Sequence, residues 1–172
     1  MNKFETIQKK ISSKNVLLDK VAKWKLEKKR VVFTNGVFDL LHRGHIEYLA
    51  QAADCADQFI VAVNADNSVR RLGKGDSRPL QDEDSRALII AALHFVDAVV
   101  VFDDDTPYHL ISALLPDVLI KGGDYDASCT NPLDKKYIVG SDVVKNKGGK
   151  VEVIQFVEGY STTKIEEKIK NS

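Results

Sequence analysis

Cysteine is scarce: Cys55 and Cys129 are the only two in 172 residues, and they form neither a CxxC pair nor a metal-spaced set with histidine. A disulfide-stapled scaffold and a zinc site are therefore disfavoured. The charged amino-terminal stretch lacks the apolar core of a signal peptide, so a reducing, cytoplasmic setting is expected. No apolar run approaches the roughly 20 residues needed to cross a bilayer, so no membrane partner is expected. Net charge is missing too. Twenty-five Lys and Arg offset twenty-five Asp and Glu, leaving no global field to draw the chain to nucleic acid. Basic residues must act locally. Two phosphate fingerprints are absent, GxGxxG and GxxxxGK[ST], which disfavours redox dinucleotides and P-loop ATP hydrolysis. Internal repeats are absent as well, beyond a strand-helix unit that recurs five times.

At 44% hydrophobic content the chain has enough apolar side chains for one well-cored domain over 1–172, with a lead-in and helix over 1–27 and a core over 28–172. Residues 1–15 are polar and lysine-rich and read as a loosely held lead-in. Asn15 could cap a helix carrying Leu17, Val21 and Trp24 on one stripe, with Trp24 in a packing role rather than as a platform for a base. Runs at 31–33, 59–63, 98–102, 116–120 and 151–156 have the strand character of a sheet buried on both faces. Helical patterns alternate with them. A helix from Asp82 or Asp84 would turn Leu88, Ile89, Ala92 and Leu93 inward, and a last helix would bury Ile165 and Ile169. The fold class expected is α/β, a doubly wound five-stranded parallel sheet of Rossmann-like type.

The rest of the chain is organised around residues 34–49, TNGVFDLLHRGHIEYL. A strand empties into Thr34-Asn35-Gly36, and a helix opens after His42-Arg43-Gly44-His45. A helix N-terminus offers free N–H donors and a positive dipole end, which attract phosphate. Histidines three apart share one face of its first turn, and Gly44 leaves room for a close ligand. Donors converging on one point suit a charged phosphoryl transition state.

Other strand ends carry similar chemistry. Asn64 and Asp66 follow the second strand, where a doubly wound sheet has its ligand crevice. The segment from Arg70 to Pro79, with Lys74 inside it, reads as a basic loop able to close over polyphosphate or as an ordinary surface loop. Arg86 sits in the first turn of its helix, poorly placed for the dipole unless it reaches a ligand or an acid. Asp103-Asp104-Asp105 reads as a helix start with Thr106 and Pro107 rather than as a metal cluster. His94 and His109 read as structural. The fourth strand empties into Lys121-Gly122-Gly123-Asp124-Tyr125. Gly159-Tyr160-Ser161-Thr162-Thr163 then opens the last helix, where Ser161 is a sound cap and the hydroxyls make a second anion cradle.

The pattern G-x-F-D-x-x-H-x-G-H, spanning Gly36, Phe38, Asp39, His42, Gly44 and His45, resembles the signature of the cytidylyltransferase-like nucleotidyltransferases. Residues 74–79, Val96-Asp97, Phe102, Thr106-Pro107, 116–125 and 159–163 resemble, within that family, the adenylyltransferase domain that makes ADP-heptose. Glycerol-3-phosphate cytidylyltransferases are similar too, but carry arginine where Phe156 stands. Class I aminoacyl-tRNA synthetases share a histidine motif of this kind, but a KMSKS-type loop is missing. In many bacteria the family's domain is fused to a sugar kinase; 172 residues are too few to contain one, so a separate kinase is expected.

That resemblance implies transfer of AMP from ATP to D-glycero-β-D-manno-heptose 1-phosphate, with release of pyrophosphate. His42, His45, Lys74 and Lys121 would be catalytic. Thr34, Asn35, Gly36, Phe38, Asp39, Gly44, Asn64, Asp66, Arg86, Gly159, Ser161, Thr162 and Thr163 would bind the nucleotide. Lys121, Gly122, Gly123, Asp124 and Tyr125 would bind the sugar phosphate, Tyr125 being equally explicable by packing. Mg²⁺ would arrive with ATP and be held mainly by its phosphates, with Asp39 orienting a water or the ion. No residue is expected to hold a resident metal. A homodimer is expected.

Overall fold

The structure is a computed structural model and describes residues 2–73, 78–157 and 159–171. Its centre is a five-stranded, all-parallel sheet of β1 (Val31–Gly36), β2 (Gln58–Asn64), β3 (Ala98–Phe102), β4 (Val118–Gly122) and β5 (Lys150–Ile154), in the order β3-β2-β1-β4-β5. The order reverses between β1 and β4, so the loops that diverge there leave a crevice at the strand C-termini. Two acids fix the strand entries: the Asp117 carboxylate accepts from Val31 N–H at 2.7 Å and that of Asp97 from Phe59 N–H at 2.7 Å.

Alternating strand residues feed two cores. One face packs Val31, Phe33, Ile60, Ala98 and Leu119 under α2 (Lys14–Leu26), α6 (Tyr108–Leu114) and α7 (Ser141–Asn146). The other packs Val32, Val61, Val63, Val99 and Ile120 under α3 (Arg43–Ala53) and α5 (Glu83–Ala91). Truncating a fully buried residue such as Leu119 costs about 2–5 kcal/mol, because the cavity collapses only in part. The short helices α1 (Lys3–Gln8) and α4 (Asp66–Arg71) and the last helix, α8 (Thr162–Lys170), complete the chain.

Several local expectations are corrected. The lead-in is held: Asn2 and Glu5 form a capping box, Ile7 and Ile11 pack on the α3/α5 core, and Ile11 makes a parallel bridge with Val99. Helix α2 starts after Ser13, not Asn15, while Leu17 and Val21 are buried as the stripe requires and Trp24 packs beside them. Helix α5 is rotated from its expected phase. Arg86, Ala87, Ile90 and Ala91 face inward, whereas Ile89 and Ala92 are exposed. Strand β5 ends at Ile154, so Phe156 is free to turn over the strand ends. On α8, Ile165 is half-buried but Ile169 is exposed.

Candidate active site

The β1–α3 turn is shaped by three close contacts. Phe38 has φ +52°, in the left-handed region, which folds its ring back over Gly36; a Cβ there would lie 2.9 Å from Phe38 Cζ. The same ring meets His45 edge-on at 5.6 Å. His42 is the extended N-cap of α3 and His45 lies in its first turn, so their rings stack at 3.9 Å and 23°. A Cβ on Gly44 would lie 3.2 Å from the His42 ring and 3.3 Å from Tyr160 Cβ, so this glycine allows α3 to approach the segment leading into α8.

Electrostatics keep both imidazoles neutral. Burial lowers the pKa of His42, and burial together with the nearby His42 lowers that of His45 to about 4. Each Nδ1 is buried without a hydrogen-bond partner among the described residues. Asp39 behaves differently. Burial raises its pKa, but N–H groups of Leu80 and Gln81 and the Arg78 guanidinium all donate to its carboxylate and hold it below the usual range.

Of these groups Gly36, Phe38, Asp39, His45 and Arg78 border a cleft of about 870 Å³ at the strand C-termini, whereas His42 and Gly44 are not among its lining residues. Asn35, Gly36, Phe38, Asp39, His45, Asn64, Lys121, Gly122, Tyr125, Thr162 and Thr163 line it together, while Ser161 and Gly159 are not among its lining residues. Lys121 Nζ donates to Asn35 Oδ1 at 2.7 Å, joining the ends of β4 and β1, and lies 5.7 Å from the Tyr125 ring centroid. Ser161 caps α8, its Oγ accepting from Lys164 N–H at 3.1 Å. Gly159, at φ +90°, makes the turn before it.

Such a cleft, with neutral His45 at one helix start and threonines at another, has relatives. The family model described as "Cytidylyltransferase-like" matches residues 33–168. The chain belongs to the cytidylyltransferase-like family. It is 51% identical to the bifunctional protein HldE of Campylobacter jejuni over 164 residues, which are 95% of this chain and 32% of that one. It is also 51% identical to HldE of Geobacter sulfurreducens over 160 residues, 93% of this chain and 31% of that one. The chain thus spans about a third of the length of the curated relatives it matches. Among solved structures, a lipopolysaccharide core biosynthesis protein from Thermoplasma volcanium superposes with a TM-score of 0.57 at 27% identity, covering 77% of this chain and 99% of that one. A pantoate-beta-alanine ligase from Francisella tularensis, at 15% identity and TM-score 0.59, covering 93% of this chain and 76% of that one, shares the fold.

Within this cytidylyltransferase-like domain some anticipated contacts fall elsewhere. Thr34 is wholly buried beneath the cleft: it accepts from the Tyr48 hydroxyl at 2.5 Å and donates to Ile120 O at 3.0 Å. Arg86 is likewise wholly buried, its donors spent on Gln81 O, Val37 O and the Asp66 carboxylate, so neither Arg86 nor Asp66 opens onto the cleft. Gly123 lies under the Phe156 ring, and Asp124 is exposed away from the cleft. The Asp39 carboxylate accepts from the Arg78 guanidinium and from the N–H groups of Leu80 and Gln81. Lys74 lies outside the described residues.

Sequence reasoning missed several wall residues of this family member. Tyr48 follows His45 by one helical turn and could have been found from that spacing. Arg78 ends the basic loop but was not singled out. Asp105, Thr106 and Pro107 border the cleft, with Asp105 paired to Arg71 at 2.5 Å. Tyr137 and Val139 come from an irregular loop that carries no periodic signal. Among the described residues there is no group of three or more His, Cys, Asp or Glu that could hold a metal ion, and no helix is long and apolar enough to cross a membrane.

Proposed function

We propose that this domain is an adenylyltransferase that joins the AMP of ATP to D-glycero-β-D-manno-heptose 1-phosphate, giving ADP-heptose and pyrophosphate. The observation that carries the chemistry is the sharing of one cleft by neutral His45, Lys121 and the threonines at the start of α8. About 50% identity to HldE proteins over nearly the whole chain supports the choice of sugar.

In this mechanism a phosphate oxygen of the sugar 1-phosphate attacks the α-phosphorus of ATP. The bond from that phosphorus to the bridging oxygen breaks, and pyrophosphate leaves. The nucleophile is already anionic, so no general base is needed, and the protein contributes alignment and charge stabilisation. Neutral imidazoles at positions 42 and 45 donate hydrogen bonds to the α- and leaving phosphates without repelling a cation. The Ser161–Thr163 helix start holds the β,γ end through its dipole and N–H groups. Lys121, pinned by Asn35, neutralises phosphate charge, and Lys74 is assigned the same task. Mg²⁺ enters as part of the MgATP substrate. The Asp39 carboxylate is filled by protein donors, so the side chains here suit an ion carried by the phosphates rather than caged by protein.

Phe156 lines the cleft against Tyr48 at 5.7 Å and offers adenine an apolar stacking wall. A cytidylyltransferase would need another source of the planar donor fork that arginine supplies at this place. The test incubates ATP, CTP and GTP separately with heptose 1-phosphate, glycerol 3-phosphate and phosphopantetheine, with pyrophosphate as the readout. Release confined to ATP with heptose 1-phosphate is the expected result. Release with CTP and glycerol 3-phosphate would refute the assignment.

A further inference from the structure

We propose that Arg78 is a positioning residue, a strap that ties the last helix to the histidine-bearing turn and sets the width of the nucleotide end of the cleft. This role rests on the functional reading above. Arg78 Nη1 donates to Asp39 Oδ2 at 2.8 Å, and Nη2 forms an ion pair with Glu166, 2.7 Å from its Oε1. The three side chains are 15%, 2% and 24% exposed, so the two ion pairs are largely withdrawn from water. One guanidinium thus bridges two carboxylates from different elements, a task suited to its rigid fork and beyond a single ammonium group.

Both ends of the strap sit beside chemistry. Asp39 is fixed by the N–H groups of Leu80 and Gln81 and precedes His42 by three residues. Glu166 follows Thr162 by one helical turn, so the two share a face of α8, and both are half-buried. The helix needs such a tie. None of its residues is fully buried, and Ile169 is 68% exposed, so apolar packing fixes its position only weakly. A second polar link near its start, Arg43 to Tyr160 Oη, is exposed and long at 3.4 Å. With one amine group on each carboxylate, Arg78 acts through the placement of Thr162 and Thr163 rather than as a phosphate ligand.

The test compares wild type with Glu166→Gln, Glu166→Asp and Arg78→Lys. The binding of β,γ-methylene ATP and of heptose 1-phosphate is titrated separately, and amide exchange is followed over residues 162–170. Glu166→Gln and Arg78→Lys are expected to weaken binding of the ATP analogue about tenfold, with sugar-phosphate binding changed less than about twofold. Exchange in α8 should quicken while that of β4 stays unchanged. Glu166→Asp should recover part of the loss, which a merely structural defect would not show. Equal ATP affinity in all four proteins, or unchanged α8 exchange in Glu166→Gln, overturns the strap and leaves the functional reading standing. Wild-type protein that binds no ATP analogue overturns the functional reading and this role with it.

Discussion

Replacing His45 by alanine should change how stability depends on pH as well as how fast the enzyme turns over. In the folded chain the His45 pKa is lowered from 6.5 to about 4, first by burial and then by the neighbouring His42. The unfolded chain therefore takes up a proton at this site first as the solution is acidified. The penalty on folding is absent above the unfolded value and complete below the folded one. Each pH unit below the unfolded value costs about 1.4 kcal/mol, so the unscreened figure at pH 5 is about 2 kcal/mol. His45 is half-buried, and solvent screening brings this to about 1–2 kcal/mol. His45→Ala removes the titration. Urea denaturation of both proteins at pH 7.5 and pH 5.0 should show wild type losing about 1–2 kcal/mol more than the variant. Parallel losses would refute the claim that burial keeps this imidazole neutral. In turnover the variant should fall about a hundredfold, the scale of one lost preorganised donor, while wild type keeps its activity down to pH 5.5. A folded variant with near-normal turnover would remove His45 from the mechanism.

Arg86→Met should leave the Asp66 carboxylate and two carbonyls without their buried donor, at a cost of about 3–5 kcal/mol. For a domain of this size that lowers the melting temperature by roughly 10 °C, and a fall of under about 3 °C in calorimetry would contradict the pairing. Gly122→Ala places a Cβ 2.5 Å from Phe156 Cε1; the half-exposed ring can swing away, so KM for ATP should rise while the melting temperature holds. Kinetics with unchanged KM would show that Phe156 is no part of the nucleotide wall. Ser161→Ala removes the α8 cap and a hydroxyl from the phosphate end, so titration calorimetry should show weaker ATP binding with sugar-phosphate binding retained.

The strands were legible because each is a short apolar run whose alternate residues fill both cores, so period and length leave little choice. The motif glycines were legible as places that need room, though Gly44, read as room for a ligand, is set against the His42 ring and Tyr160. Helix α5 was misphased because its inward face includes an arginine. Gln81 O, Val37 O and the Asp66 carboxylate, the last twenty residues away, together make that burial tolerable, and apolar periodicity announces none of them. Thr34 looked like a ligand because it ends β1 beside the motif; its pairing with Tyr48 and Ile120 depends on the meeting of β1, α3 and β4. Arg78 escaped notice because its two acids lie 39 residues before and 88 residues after it. Long-range pairing of this kind is invisible to a window that moves along the chain.

The bridge between Ile11 and Val99 has a consequence for the outer rim of the sheet. Strand β3 is the last in the order on its side, and an unpaired rim of this kind presents N–H and C=O groups that template the addition of another chain. Here Val99 N–H donates to Lys10 O at 2.9 Å and Ser12 N–H donates to Val99 O at 3.0 Å, so the amino-terminal segment occupies the seat an incoming strand would take. Residues 2–12, none of which lines the cleft, act as a selvedge: they finish the cloth at the edge where it would otherwise fray into its neighbours.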